Sequence, residues 1–108
     1  MKKAIIISLL LILGWSSLAI GDSAIELLDS KWAYGHSLNY IVGTVKNNTG
    51  REYRYVCITF IVYDKDWNQV GTAMDTCVEF QPYGKWKFTA HVYDKLAVHY
   101  RFSKVTYF

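Results

Sequence analysis

Tyr53-Arg54-Tyr55-Val56-Cys57-Ile58-Thr59-Phe60-Ile61-Val62-Tyr63 is the stretch that decides the fold. β-branched and aromatic residues fill it, and both types fit a pleated, half-buried surface better than a helix. A polar loop, Lys65-Asp66-Trp67-Asn68-Gln69, follows, and then a second run of the same character, Val70 to Phe80. Two such runs around a short polar break predict a β-hairpin.

Outward from this hairpin the same pattern recurs. Ile25 to Asp29 predicts a first strand and Asn39 to Lys46 a second. Asn47-Asn48-Thr49-Gly50 predicts a turn, because Asn and Gly tolerate positive φ. Gln81-Pro82-Tyr83-Gly84 predicts another turn, followed by a strand over Lys85 to His91 and a last strand from about Val98 to Thr106. Ser30 to Leu38 and Tyr93 to Ala97 read as connectors. No window has helical periodicity, and regularly spaced short strands with one proline predict an all-β chain, a sandwich or a barrel.

The hairpin also predicts a register. If Asp64 opposes Val70, Cys57 falls directly opposite Cys77. Opposed antiparallel residues lie within the Cα separation that a disulfide needs, so a Cys57–Cys77 bond is expected as a brace on the outer face. Val56, Ile58, Phe60 and Val62 would then face the core, opposite Val78, Thr76, Met74 and Thr72.

The N-terminus reads differently. Lys2 and Lys3, the apolar run from Ala4 to Leu13 and the small residues Ser16 to Ala19 have the three-part form of a secretory signal peptide. The apolar stretch is interrupted by Ser8, Gly14, Ser16 and Ser17 and is shorter than the roughly 20 residues of a spanning helix. Cleavage is expected after Ala19 or Gly21. The reading is therefore a signal peptide over 1–21 and one domain over 22–108, secreted or periplasmic, with no stable membrane span. An oxidising compartment favours the disulfide. The net charge of the chain is +3, from 12 Lys+Arg against 9 Asp+Glu. Lys2 and Lys3 carry two of those three excess charges. The remaining basic residues are interleaved with acidic ones, as on a mixed solvated surface, so no nucleic-acid partner is expected.

Thr59-Phe60-Ile61-Val62-Tyr63-Asp64 resembles the signature of the FxLYD domain family, with Val62 in place of Leu. Val42-Gly43-Thr44-Val45-Lys46-Asn47 is similar to that family's V-x-G-x-V-x-N segment, Val70-Gly71-Thr72-Ala73 to its post-hairpin segment, and Gln81-Pro82-Tyr83-Gly84 to its proline–glycine turn. The resemblance covers roughly Ile25 to Val105. Together with the strand pattern it implies a small immunoglobulin-like antiparallel β-sandwich, of about six to seven strands, in an envelope or secreted protein, and it supplies no catalytic residue. Trp67 departs from it, standing where the family often has Gly, and the cysteine pair lies outside the signature.

The residues give little sign of catalysis or of metal or cofactor binding. Asp64-x-Asp66-x-Asn68 has the opening spacing of a calcium loop, but Gln69 stands where such a loop needs Gly and Asp75 where it needs Glu; a polar hairpin tip is expected. His36, His91 and His99 match no zinc spacing. No G-x-S-x-G and no phosphate loop is present, so no enzyme, cofactor or metal is expected. Asn47-Asn48-Thr49 matches a glycosylation sequon and is read as a plain turn. The aromatic content is high, with four Trp, nine Tyr and five Phe. Phe60, Phe80, Phe88 and Trp86 or Tyr100 are core candidates. Trp67, at a hairpin tip, either forms a partner-contact patch with Tyr83 or folds back on its own hairpin. The expected function is a non-catalytic module that binds a protein or envelope component. The alternatives are a small metal protein or enzyme using His91 and His99, should the last two strands pair, and an inhibitor of a secreted enzyme.

Overall fold

The structure is a computed structural model and describes residues 24–108. The expectations for the leader, including the cleavage points, lie outside the described residues. Six strands form: β1 Ile25–Ala33, β2 Asn39–Asn47, β3 Tyr53–Tyr63, β4 Gln69–Phe80, β5 Lys85–Val92 and β6 His99–Tyr107. They make two antiparallel three-stranded sheets, in the orders β1-β2-β5 and β4-β3-β6. The chain is the all-β sandwich expected, with one lengthened element. β1 continues through Ser30 to Ala33, which the sequence reading gave to a connector, because a bulge at Leu28 lets Asp29 to Ala33 stay paired with Thr44 to Tyr40 of β2.

One aromatic contact centres the interior. Phe60 of β3 and Phe88 of β5 are fully buried and stack at 5.5 Å across the sheets. Tyr100 and Phe102 of β6 meet the Phe60 ring edge-on at 5.6 and 6.0 Å. Edge-to-face and offset geometries suit the quadrupole of an aromatic ring and add to the burial of area. Ile41 and Val45 from one sheet and Val56, Ile58 and Val62 from the other fill the space around the pair. Phe80 is buried as expected, while Trp86 and Tyr100 are half-buried and pack at the margin. Tyr100 closes the side where β1 meets β6, stacking on Trp32 at 6.2 Å and sharing a 2.9 Å hydroxyl–hydroxyl hydrogen bond with Ser30.

The β3–β4 register differs from expectation by one residue. Asp64 N–H donates to the Asn68 carbonyl at 2.9 Å, Tyr63 pairs with Gln69, and Val62 pairs with Gly71. The loop thus closes more tightly than the sequence reading assumed, and Val70 is taken up as a bulge. From there Val56 pairs with Cys77, Ile58 with Asp75 and Phe60 with Ala73. The core face of β3 stands as expected. On β4, however, Thr72, Met74, Thr76 and Val78 turn outward, and Met74 and Val78 are 53% and 68% exposed. The expected Cys57–Cys77 bond is absent and both cysteines are free. Cys57 opposes Thr76 on the outer face and Cys77 opposes Val56 on the inner face, so the two thiols lie on opposite sides of the sheet. Burial, and then the charge of Asp75, hold the Cys77 thiol above its ordinary pKa.

Candidate functional site: an aromatic platform at the hairpin tip

The tip of the β3–β4 hairpin is built by one carboxylate. Oδ1 of Asp64 accepts the backbone N–H groups of Asp66 and Asn68, each at 2.9 Å, and Oδ2 accepts Nδ2 of Asn68 at 3.1 Å. The spacing that opens like a calcium loop is thus a self-capping turn whose acceptors are used internally. These bonds favour the charged carboxylate. The bond from the Asn68 backbone is foremost, and together they hold the pKa of Asp64 below its ordinary 3.8.

This cap fixes Trp67. Its N–H donates to the Asp64 carbonyl at 3.0 Å, and its φ is 65°, a left-handed conformation that a bulky residue rarely adopts. From there the indole folds back over the outer face of the β4-β3-β6 sheet. It lies parallel to the His99 imidazole, with centroids 4.1 Å apart and 2° between planes, and Tyr63 meets it at 5.3 Å. The Arg101 guanidinium sits 5.6 Å from the Tyr63 ring centroid. Trp67 still keeps 58% of its surface exposed. Trp67 is therefore folded back over the sheet, as one of the two alternatives had it, while much of its indole stays exposed. Sequence reasoning missed His99, Tyr63 and Arg101 as members of this group. The alternation of His99 and Arg101 along one strand was legible, but the meeting of His99 with Trp67, and of Arg101 with Tyr63, depends on β6 pairing with β3, which is non-local.

Tyr83 is not part of the platform. It occupies the turn between β4 and β5, at the far end of β4 from Trp67, so the two residues expected as one patch are separated by the length of that strand. At roughly 3.3 Å per residue this is some 35–40 Å. Tyr83 is also exposed and also left-handed, with φ 56°. Its N–H donates to the Thr49 carbonyl at 3.1 Å, and Lys46 lies 5.8 Å from its ring centroid.

His91 and His99 do not approach one another. β5 and β6 belong to different sheets rather than pairing. His91 pairs across from Tyr40, their rings 5.0 Å apart, and His99 lies on Trp67. The shared histidine site of the alternative reading is thus not formed. Among the described residues no group of three or more His, Cys, Asp or Glu side chains is placed to hold a metal ion. An open cleft of about 310 Å³ lies at the hairpin end between Val62, Val70, Gly71, Thr72, Tyr93 and Asp94. Oδ1 of Asp94 there accepts the Leu96 N–H at 2.8 Å.

Asn47 of the sequon is a structural residue. It is wholly buried, donating Nδ2 to the carbonyls of Arg51 and Gln81 and accepting from the N–H and hydroxyl of Thr49 at Oδ1, all at 2.7–3.0 Å. With its amide fully used, it joins the β2–β3 loop to the β4–β5 turn and is closed to modification. No helix among the described residues is long and apolar enough to cross a membrane. No protein-family model, curated protein or solved structure matches the chain.

Proposed function

We propose that this protein is an exported, non-catalytic β-sandwich module that binds a component of the cell envelope or its surroundings through the Trp67 platform. One observation carries the reading. Among the described residues, the most exposed tryptophan is held in a backbone conformation that glycine would adopt without strain, with a stacked imidazole behind its indole. Residues kept in sparsely populated φ/ψ regions cost about 1–3 kcal/mol and cluster at active sites, ligand clamps and switch regions. Tryptophan, with an apolar body and one polar handle, is also enriched at contacts where one side is apolar and the other wet.

Export is supported by the leader read in residues 1–21. With both thiols free, it draws nothing from disulfide chemistry. Membership of the FxLYD family is supported by the short segments quoted above. The test is a pull-down from envelope and culture-fluid extracts with wild-type protein and the Trp67→Ala variant. A partner retained by the wild type and lost from the variant is expected. Equal recovery of every partner would remove Trp67 from the site.

A further inference from the structure

The outer face of the β4-β3-β6 sheet carries more than an indole. From Tyr55 to Tyr63, the outward residues of β3 and their partners on β4 and β6 include no acidic side chain. They do include two cations, Arg101 opposite Ile61 and Lys104 opposite Thr59. Their partners are two residues apart on β3, so the two charges sit roughly 7 Å apart along the strand direction. Among the described residues no carboxylate pairs with Arg101, whose guanidinium instead lies over Tyr63. Asp64, which follows Tyr63, spends its oxygens on its own turn, and Asp94 Oδ1 accepts the Leu96 N–H.

We propose that this face binds an acidic polysaccharide, with a sugar ring stacked on the open face of Trp67 and the polymer's carboxylates meeting Arg101 and Lys104. The inference rests on the binding-module reading and names its ligand class. An indole has two faces. His99 covers one at 4.1 Å, and the other is available to a flat ring with an apolar face. The rim is polar: Lys65, Asp66, Asn68 and Gln69 are all exposed. An isolated aromatic ring with a hydrogen-bonding rim suits a ligand that is apolar on one side and polar at its edge. A protein hot spot instead sits in a well-packed pocket that excludes water. Arg101 and Lys104, with no acidic side chain among the outward residues paired along Tyr55 to Tyr63, make this stretch of the face complementary to an anion.

The test is calorimetric titration of the purified protein with three polymers. Polygalacturonate oligomers combine sugar rings with carboxylates, dextran has rings without charge, and poly-L-glutamate has charge without rings. Polygalacturonate is expected to bind at least tenfold more tightly than either of the others, and more weakly as salt rises. Trp67→Ala, and separately the double variant Arg101→Gln/Lys104→Gln, are each expected to weaken that binding tenfold or more. These substitutions are on the surface, and thermal melts matching wild type establish that each variant is folded. Several results would overturn the proposal: no heat with polygalacturonate, dextran binding as tightly, or wild-type affinity in either variant. Poly-L-glutamate binding as tightly would also overturn it and point to an acidic protein. If polygalacturonate fails while Trp67→Ala still loses a partner in the pull-down, the ligand class falls and the binding module stands. If both fail, both readings fall.

Discussion

Single side chains decide how both ends of this sandwich are closed. At one end Asn47 satisfies two loops at once from a buried position. Asn47→Ala removes all four of these bonds; the Gln81 and Arg51 carbonyls keep the Gly84 N–H and the Thr49 hydroxyl, but the buried joint between the two loops and the acceptor of the Thr49 N–H are lost. A loss of about 2–4 kcal/mol is expected, read as a lower midpoint in urea with an unchanged slope. A change below 0.5 kcal/mol would show that water replaces the amide. At the other end Asp64 holds the Trp67 turn. Its pKa is depressed in the folded state, so its contribution is present above the unfolded value near 3.8 and is lost as pH falls through the lower folded value. Acidification below about pH 4 is therefore expected to loosen the turn, seen as exchange broadening of the Trp67 indole N–H signal. Asp64→Ala is expected to show that loosened signal at neutral pH. An indole signal in the variant identical to wild type at all pH values would contradict this account of the cap.

At the scale of the strand, β4 shows how an edge is guarded. Asp75 points inward beside Ile58, at the margin where β4 and β5 face each other across the two sheets. Its Oδ1 accepts the Thr76 N–H of β4 and its Oδ2 the Thr89 N–H of β5, both at 2.9 Å. One carboxylate thus occupies an outward-pointing donor on each of two edge strands and ties the sheets together. Inward-pointing charges of this kind oppose edge-to-edge association. Asp75→Ala is expected to cost about 1–3 kcal/mol and to raise the share of dimer and higher species with concentration, measured by light scattering. A variant as stable and monodisperse as wild type would count against the clip. The same strand explains the misplaced cysteines. Its register is set by the Asp64–Asn68 closure and the Val70 bulge, and an insertion of one residue moves every β4 side chain to the other face.

For the molecule as a whole, the thiols give a direct check on that register. Intact mass is expected to be identical with and without reductant, and under native conditions iodoacetamide is expected to label half-buried Cys77 before buried Cys57. A mass lower by two hydrogens in the unreduced protein would require the β3–β4 pairing to be redrawn.

The sequence by itself determined the class of fold, five of the six strands to within a residue or two, and the inward face of β3, from Val56 to Val62. All of these follow from local propensity and period-two alternation, which are written residue by residue. It also placed Trp67 at a hairpin tip. The tertiary structure alone decided that β1 continues to Ala33, that His91 and His99 part company, and that Tyr83 and Trp67 lie at opposite ends. It alone decided that Asn47 is a buried joint and that His99 and Tyr63 gather under the indole, with Arg101 against Tyr63. Each of these depends on which strands become neighbours and on bulges at Leu28, Val70 and Ser103. A bulge is a choice between nearly equivalent local conformations, settled by the packing of side chains from distant parts of the chain, and a pattern of alternation carries no mark of it.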